Sequence, residues 1–384
     1  MHSIYLDNAA TTRVAPEVLQ AMLPYFDEVY GNPSSIHTPG RSAKEAICRA
    51  YEQVATAINA SPEEIYFTSG GSESDNWAIK GIAFAYQNVG KHIITSSIEH
   101  HAILHTCEWL EQNGFHVTYL PVDKYGMVNP DDVERAIRRD TILISIMTAN
   151  NEVGTIQKIE AIGKIAKEHG VLFHTDAVQA IGAIDVDVEK MGVDLLSLSG
   201  HKFHAPKGIG ALYIRDGITI DPLIHGGMQQ GGLRAGTESA ANIAGIGKAI
   251  ELATDSMGAR VQHIRRMRDM LRRCIQERIP DARFNGHPDQ RLPGNISITI
   301  PGIDGEMLLL SLDRKGIAVS AGSACMSGWS EPSHVLKALR LSDDDARGTI
   351  RMSLGHDITQ EDVIYVADTL HEEVCRLRDL VVRA

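Results

Sequence analysis

Between about residues 60 and 215, the sequence alternates short apolar runs with segments of helical periodicity. The runs cover residues 65–69, 92–97, 116–122, 141–149, 171–176, 193–199 and 210–214. Asn129 followed by Pro130 predicts the start of one helix in this region, and Gly170 predicts the end of another. Strands that alternate with helices are typical of a mostly parallel sheet covered by helices. We therefore predict an α/β core.

The pattern changes after about residue 242, where helical periodicity continues to about residue 279. Short predicted strands then alternate with helices, the strands covering residues 295–300, 317–320 and 349–354. The last helix is predicted to start at Thr359, because Thr-x-x-Asp to Asp362 resembles a capping box. This part predicts a smaller α+β domain, completed by the N-terminal arm. The predicted large domain is 14–257, and the small domain is 1–13 with 258–384.

Charge and hydropathy exclude several classes of partner. The 37 Lys and Arg residues against 49 Asp and Glu residues give a net charge of -12, and no basic run is interleaved with aromatic residues. Nucleic acid is therefore not a predicted partner. No apolar run has the length of a membrane span, and Asp7 interrupts the region where a signal peptide needs an apolar core. Five scattered cysteines without a C-x-x-C pattern predict reduced thiols. These features predict a cytoplasmic protein with no membrane partner.

Lys202 follows the apolar run at 193–199, where an ammonium group is unusual. Removing an ammonium from water costs several kcal/mol, so a lysine there needs a partner or a reaction. An amine in a dry pocket becomes a nucleophile towards an aldehyde, which is how proteins bind pyridoxal phosphate as a Schiff base. This hypothesis requires a phosphate cradle, an acid beside the pyridine nitrogen and a group stacked on the ring.

Three segments at the ends of predicted strands could meet these requirements. Gly71 and Ser72 open a helix and could bind an anion, although by themselves they fit a tight strand-to-helix turn better. Asp176 could face a pyridine nitrogen and Gln179 a phenolic oxygen, but an aspartate here could also be an N-cap. His100 could move protons or stack on a ring, and the alternative is a structural histidine.

A metal site is a further alternative for the histidines of this region. His101 and His105 have helical i, i+4 spacing and Cys107 is near in sequence. However, no carboxylate lies between the two histidines as in H-E-x-x-H, and His100 and Cys107 fall on other helix faces. We predict no metal.

Together these segments resemble those of the cysteine desulfurases of the NifS and IscS type, which are pyridoxal-phosphate enzymes of the aspartate aminotransferase fold. The resemblance runs nearly from end to end of the chain, and its motifs lie at residues 5–12, 31–35, 68–76, 150–154, 176–179, 199–202, 234–237 and 322–325. It implies an aspartate aminotransferase-like large domain with a mostly parallel seven-stranded sheet and a smaller α+β domain.

The resemblance also implies a role for each matching residue. Lys202 is expected to form the Schiff base, Asp176 to face the pyridine nitrogen and Gln179 to bond the ring hydroxyl. His100 is expected to stack on the ring and shuttle protons, and Asn151 to contact the cofactor or substrate. The phosphate is expected to bind to Gly71, Ser72, Ser199 and His201, with Thr237 from the second subunit of a homodimer. Arg351 is expected to grip the substrate carboxylate, for which a planar guanidinium is suited; the alternative is an ion pair that closes the small domain.

Cys325 indicates the reaction. It lies in a stretch of small residues without apolar periodicity, which predicts a surface loop at about 320–334 within the small domain. Its thiolate could attack the sulfur of L-cysteine, with a nearby imidazolium such as His100 favouring its formation. The resemblance implies that L-alanine is released and that the Cys325 persulfide passes its sulfur to an acceptor such as an iron-sulfur scaffold protein.

Three other functions stay open at this point. A selenocysteine lyase binds the same amino-acid skeleton, although Cys325 argues against exclusive use of selenium. An aminotransferase would give Cys325 no task. A non-enzymatic protein that binds pyridoxal phosphate is the third alternative.

Overall fold

The computed structural model describes residues 3–255, 257–321 and 332–383. The strands are β1 (Ile4–Tyr5), β2 (Ile65–Thr68), β3 (His92–Ser96), β4 (His116–Leu120), β5 (Thr141–Ser145), β6 (Leu172–Asp176), β7 (Leu195–Ser199), β8 (Gly210–Ile214), β9 (Arg283–Asn285), β10 (Asn295–Thr299), β11 (Ile317–Ala318), β12 (Ser320–Ala321) and β13 (Thr349–Ser353). The helices are α1 (Pro16–Met22), α2 (Pro24–Asp27), α3 (Thr38–Ile58), α4 (Gly71–Ala85), α5 (His101–Gln112), α6 (Pro130–Ala136), α7 (Ile159–His169), α8 (Val188–Met191), α9 (Ala240–Asp255), α10 (Met257–Arg278), α11 (Gly305–Arg314), α12 (His334–Ala338), α13 (Asp343–Arg347) and α14 (Gln360–Arg383).

A seven-stranded sheet with the order β2-β8-β7-β6-β5-β3-β4 forms the centre of the molecule. Each strand lies within one of the seven predicted runs, so the predicted α/β core is confirmed. Only β8 runs antiparallel to its neighbours. Since β2 and β7 both oppose β8, β2 runs in the same direction as β7. The carboxyl ends of β2, β3, β6 and β7 therefore meet at one edge of the sheet.

Neighbouring residues of the central strands enter two different cores, because successive side chains of a strand point to opposite faces. In β3, Ile93 packs with Trp77 of α4, while Ile94 packs in the core that contains Ile47 of α3. Both faces of the sheet are therefore covered by helices. This double burial explains why the strand sequences are continuous apolar runs.

A third core belongs to the C-terminal part of the chain. It joins buried residues of α10, α11 and α14 to those of a four-stranded antiparallel sheet with the order β12-β13-β10-β9. The predicted run at 317–320 forms two strands, because β11 pairs with β1 whereas β12 pairs with β13. The predicted helical stretch at 242–279 forms two helices on either side of residue 256. The capping box is confirmed, since Asp362 N–H donates to Thr359 Oγ1 and Thr359 N–H donates to the Asp362 carboxylate.

The N-terminal arm contacts both the C-terminal core and the region beside the large sheet. Ile4 and Leu6 are buried in the C-terminal core, whereas the Thr12 N–H donates to His201 O beside the large sheet. In the opposite direction, Val335 and Leu336 of α12 pack in the core of the large sheet. Within the described residues, no helix is both long and apolar enough to cross a membrane.

Candidate active site

The edge where the strands end opens into a cavity of about 360 Å³. The predicted site residues that line it are Gly71, Ser72, His100, Asn151, Asp176, Gln179, Ser199, His201, Lys202 and Arg351. Thr237 is exposed and does not line the cavity, and Cys325 lies outside the described residues. The topology thus brings together side chains that are up to 280 residues apart in sequence, from Gly71 to Arg351.

Lys202 follows directly on β7, in a short 3₁₀ turn at Gly200–Lys202. Its Nζ donates to two main-chain oxygens of the N-terminal arm, Ala9 O at 2.6 Å and Ala10 O at 2.8 Å. The side chain is half-buried. The Lys202 ammonium therefore lies at the wall of the cavity. The N-terminal arm supplies its hydrogen-bond acceptors.

Asp176 ends β6 and is almost fully buried. Its Oδ1 accepts a hydrogen bond from the Val178 N–H at 2.8 Å. Burial raises the pKa of Asp176 to about 6, while the Val178 N–H and the positive charge of Lys202 oppose that rise. The neighbouring Gln179 donates from Nε2 to Ala9 O at 3.0 Å, so it shares an acceptor with Lys202.

His100 caps α5, because its Nδ1 accepts a hydrogen bond from the Ala102 N–H. Burial, together with the positive charge of Lys202, lowers the pKa of His100 to about 4. The ring is therefore neutral near pH 7, and an accepting Nδ1 leaves the hydrogen on Nε2. This arrangement favours the neutral ring and not the imidazolium that the sequence suggested.

The start of α4 forms the part of the site that suits an anion. Gly70 has a φ of 153°, and a Cβ added at Gly71 would come within 2.7 Å of Val178 Cγ2. Both positions therefore favour glycine, and the helix N-terminus carries a partial positive charge. Ser72, Ser199, His201 and Lys207 line the same recess. Glu73, whose charge would repel an anion, is paired with Arg234 at 2.8 Å.

Arg351 lies on the opposite wall, on β13, and its side chain is 4% exposed. Its Nη2 donates to Asp7 Oδ1 at 2.8 Å, and its Nη1 donates to Asn151 O at 3.3 Å. Its Nε is buried and has no hydrogen-bond partner among the described residues. Such an unsatisfied donor beside a cavity suits a ligand that accepts hydrogen bonds.

Five carboxylate or histidine side chains in the cavity wall were not predicted as site residues: Asp75, Glu99, His101, Glu152 and His334. Burial raises the pKa of Glu99 to about 8 and that of Glu152 to about 7. Asp75 follows Ser72 by three residues on a predicted helix, so helical spacing could have indicated it. No sequence signal connects His334 to the site, although its Nε2 lies 3.0 Å from Glu99 O.

The histidines beside the cavity form a ring cluster. His101 stacks on His105 with 4.8 Å between ring centroids, and His334 lies 4.7 Å from His101. Across the parts of the chain that are described, no three His, Cys, Asp or Glu side chains are placed to share a metal ion.

Comparison with known proteins agrees with this geometry. The family model for "Aminotransferase class-V" matches residues 4–366. A Methanosarcina thermophila protein named "Cysteine desulfurase IscS" is 57% identical over 378 residues, which cover 98% of this chain and 93% of the relative. The chain belongs to the cysteine desulfurases of the class-V aminotransferase family.

Two solved structures superpose over nearly the whole chain. A "NIFS-LIKE PROTEIN" matches with a TM-score of 0.93 and 40% identity, covering 98% of this chain and all of the other. A structure described as "SspA in complex with cysteine" matches with a TM-score of 0.82 and 42% identity, covering 92% of this chain and 99% of the other. The aspartate aminotransferase-like fold predicted from sequence is thereby confirmed.

Proposed function

We infer that the chain is a cysteine desulfurase that removes sulfur from L-cysteine and releases L-alanine. The observation that carries this conclusion is the position of Lys202, Asp176 and Arg351 in one cavity. An amine, a buried carboxylate and a guanidinium with an unused donor suit a cofactor and an amino acid bound side by side. The neighbour whose structure contains cysteine supports the substrate class.

The cofactor that fits these residues is pyridoxal 5'-phosphate. The close packing at Gly71 leaves room for no side chain at the start of α4, and Ser72, Ser199 and His201 supply polar groups for a phosphate. Asp176 would face the pyridine nitrogen, and Gln179 would bond the ring hydroxyl. When bound, this cofactor reacts with amines and withdraws electrons from the carbon beside them.

The other residues bind the substrate and move protons. Lys202 Nζ would hold the cofactor through its aldehyde group, and the same amine would take the proton from the α-carbon of the substrate. His100 would stack on the ring and exchange protons through Nε2. Arg351 would bind the α-carboxylate through Nε, with Asn151 beside it.

Cys325 would receive the sulfur. Its thiolate would attack the substrate sulfur, so that a sulfur–sulfur bond forms and the carbon–sulfur bond breaks. The electron pair of that bond stays with the carbon, which becomes the methyl group of alanine after it is protonated. The persulfide on Cys325 would then pass to an acceptor protein, such as one that assembles iron-sulfur clusters.

Several features stay predictions from the sequence. These are the homodimer, in which Thr237 would reach the partner's phosphate site, the cytoplasmic location, and the division into 14–257 against 1–13 with 258–384. The exposure of Thr237 supports the first of them.

Incubation of the purified protein with L-cysteine tests the proposal. Intact mass should show one added sulfur, peptide mapping should place it on Cys325, and alanine should form in equal amount to the sulfur released. Alanine formation without a persulfide would contradict the role of Cys325. Keto-acid-dependent amino transfer in its place would indicate an aminotransferase, and turnover of selenocysteine alone would indicate a lyase.

A further inference from the structure

His334 is a half-buried histidine with no role in the function proposed above. It opens α12 and lines the same cavity as Lys202. Two hydrogen bonds hold this end of the helix at the cavity. Ser333 Oγ donates to Glu152 Oε2 at 2.5 Å, and His334 Nε2 lies 3.0 Å from Glu99 O. Together these bonds fix the position of the His334 ring in the cavity wall.

The contact with Glu99 O determines which ring nitrogen of His334 carries the hydrogen. A carbonyl oxygen can only accept a hydrogen bond, so Nε2 is the donor. In the neutral ring, Nδ1 then has a lone pair and no hydrogen. This Nδ1 has no hydrogen-bond partner among the described residues. The cavity wall therefore contains a ring nitrogen that can accept a proton.

His100, to which proton exchange is assigned above, has the opposite arrangement. Its Nδ1 accepts the Ala102 N–H, which leaves the hydrogen on Nε2. The neutral ring of His100 therefore donates a hydrogen bond and has no lone pair to offer on Nε2. A thiol must lose its proton before it can attack, because the thiolate is the nucleophile. His334 supplies the proton acceptor that His100 lacks in this state.

The residues that pack around His334 favour its neutral ring. The ring of His101 lies 4.7 Å from that of His334, and His100 and His105 are on the same helix, α5. Burial lowers the pKa of His334, and the positive charges of these three histidines add to that effect. The hydrogen bond to Glu99 O only partly opposes the fall of this pKa. The ring is therefore neutral near pH 7.

Charged groups from other elements line the same cavity as His334. Lys202 and Arg351 carry positive charge there. Burial raises the pKa of Glu99 to about 8 and that of Glu152 to about 7, so neither carboxyl group is fully ionised at neutral pH. A proton on His334 would therefore be held weakly and released again after each turnover.

We propose that His334 is a further catalytic residue, whose Nδ1 takes the proton of the thiol that attacks the substrate sulfur. This inference rests on the proposed function, which assigns the attacking thiol to Cys325, a residue outside the described part of the chain. In this step the sulfur–hydrogen bond breaks, a nitrogen–hydrogen bond forms, and the thiolate keeps the electron pair that binds the substrate sulfur. The proton that His334 takes up passes to water, and one proton from water completes the methyl group of alanine.

A single-turnover assay of the holoenzyme with L-cysteine measures the rate of persulfide formation across the histidine and thiol pKa values, from about pH 5 to about pH 9.5. In the wild type this rate should rise with pH through a midpoint below the ordinary histidine value of about 6.5. His334→Gln keeps an amide donor for Glu99 O but has no basic nitrogen. It should form persulfide about a hundredfold to ten-thousandfold more slowly at pH 7. The difference should narrow above the ordinary thiol pKa of about 8.5, where the thiol ionises without a base.

His105→Gln is the matched control, because His105 belongs to the same ring cluster but does not line the cavity. It should keep the wild-type rate at pH 7. The visible absorbance of the cofactor should be unchanged in both variants, which separates proton transfer from cofactor binding. In a second variant, His334→Ala, added imidazole should restore the rate at pH 7 by about tenfold, because it supplies the missing base.

Three outcomes would overturn the proposal. A wild-type midpoint near pH 8.5 means that the thiol ionises without a base, and this result does not depend on any variant folding. An unchanged rate at pH 7 in His334→Gln means that the ring only anchors α12. A loss of rate that is equal at every pH and is not relieved by imidazole means that His334 has a structural role. If the wild type forms neither persulfide nor alanine from L-cysteine at any pH, the proposed function itself is wrong, which no variant of His334 can show.

Discussion

Arg351 and Asp7 come from opposite ends of the chain and form an ion pair with 2.8 Å between Nη2 and Oδ1. The guanidinium keeps its Nε without a hydrogen-bond partner among the described residues. Asp7 therefore orients the Arg351 guanidinium through Nη2 and leaves the Nε–H of Arg351 available to a ligand in the cavity. The sequence left two alternative roles for Arg351, an ion pair that closes the small domain and a contact with the substrate carboxylate. The structure is compatible with both roles.

Replacing Arg351 by Lys should raise KM for L-cysteine, because an ammonium cannot make the planar, bidentate contact of a guanidinium. Loss of one or two charge-assisted hydrogen bonds predicts about a tenfold to a hundredfold increase, as measured by steady-state alanine formation. Arg347→Lys is a matched control, since Arg347 pairs with Asp344 on the surface and should leave KM unchanged. An unchanged KM in Arg351→Lys would show that another group binds the carboxylate.

Replacing Asp7 by Asn should have a smaller effect on KM and a clear effect on stability. The amide still accepts a hydrogen bond, but the buried guanidinium loses its counter-charge, which predicts a loss of about 1–3 kcal/mol in the free energy of unfolding. Chemical denaturation with and without the substitution measures this difference. A stability equal to wild type would mean that the pair contributes no net free energy.

Replacing Lys202 by Ala should abolish alanine formation and remove the visible absorbance of the lysine-linked cofactor. The variant also loses two hydrogen bonds to the N-terminal arm, at Ala9 O and Ala10 O. A loss of stability of about 1–3 kcal/mol is therefore expected beside the chemical effect. Lys164→Ala, which changes an exposed lysine that pairs with Glu168 on α7, should keep the absorbance band. Persistence of the band in Lys202→Ala would reject the assignment of Lys202.

Replacing Cys325 by Ala should abolish persulfide and sulfide production while the cofactor absorbance stays intact, because the thiol acts on the substrate and not on the cofactor. Cys375→Ala is the matched control, since Cys375 is exposed on α14 and has no proposed role. Quantifying sulfide and mapping the persulfide test both variants. Full desulfuration by Cys325→Ala would exclude the proposed sulfur transfer.

Acid should destabilise the fold partly through His174. Its pKa is about 3 in the folded chain and about 6.5 when unfolded, so between these values only the unfolded state binds the proton. The contribution of His174 to stability is therefore complete above pH 6.5 and falls as the pH decreases. Near pH 5, His174→Gln should reduce the slope of unfolding free energy against pH by about 1.4 kcal/mol per pH unit. Denaturation curves at several pH values measure this slope, and equal slopes in both proteins would disprove the assignment.

The sequence determined the large sheet and the residue types of the site. Strands buried on both faces must be apolar throughout, which is why all seven runs could be recognised. Gly71, Asp176 and Lys202 could be identified because each lies at the end of such a run or within three residues after it. The short strands of the C-terminal part were harder to predict, because β9, β11 and β12 contain only two or three residues and their pairing depends on distant partners.

Only the tertiary structure decided the hydrogen-bond partners of the site residues and the directions in which their pKa values shift. The N-terminal arm supplies the acceptors of Lys202 and the counter-charge of Arg351, yet neither contact leaves a periodic pattern, because each joins residues more than 190 positions apart. The lowered pKa of His100 and the raised pKa of Asp75 likewise depend on burial and on neighbouring charges. A sequence specifies which side chains can ionise, but their ionisation in the protein depends on the dielectric surroundings and the charges that folding brings near them.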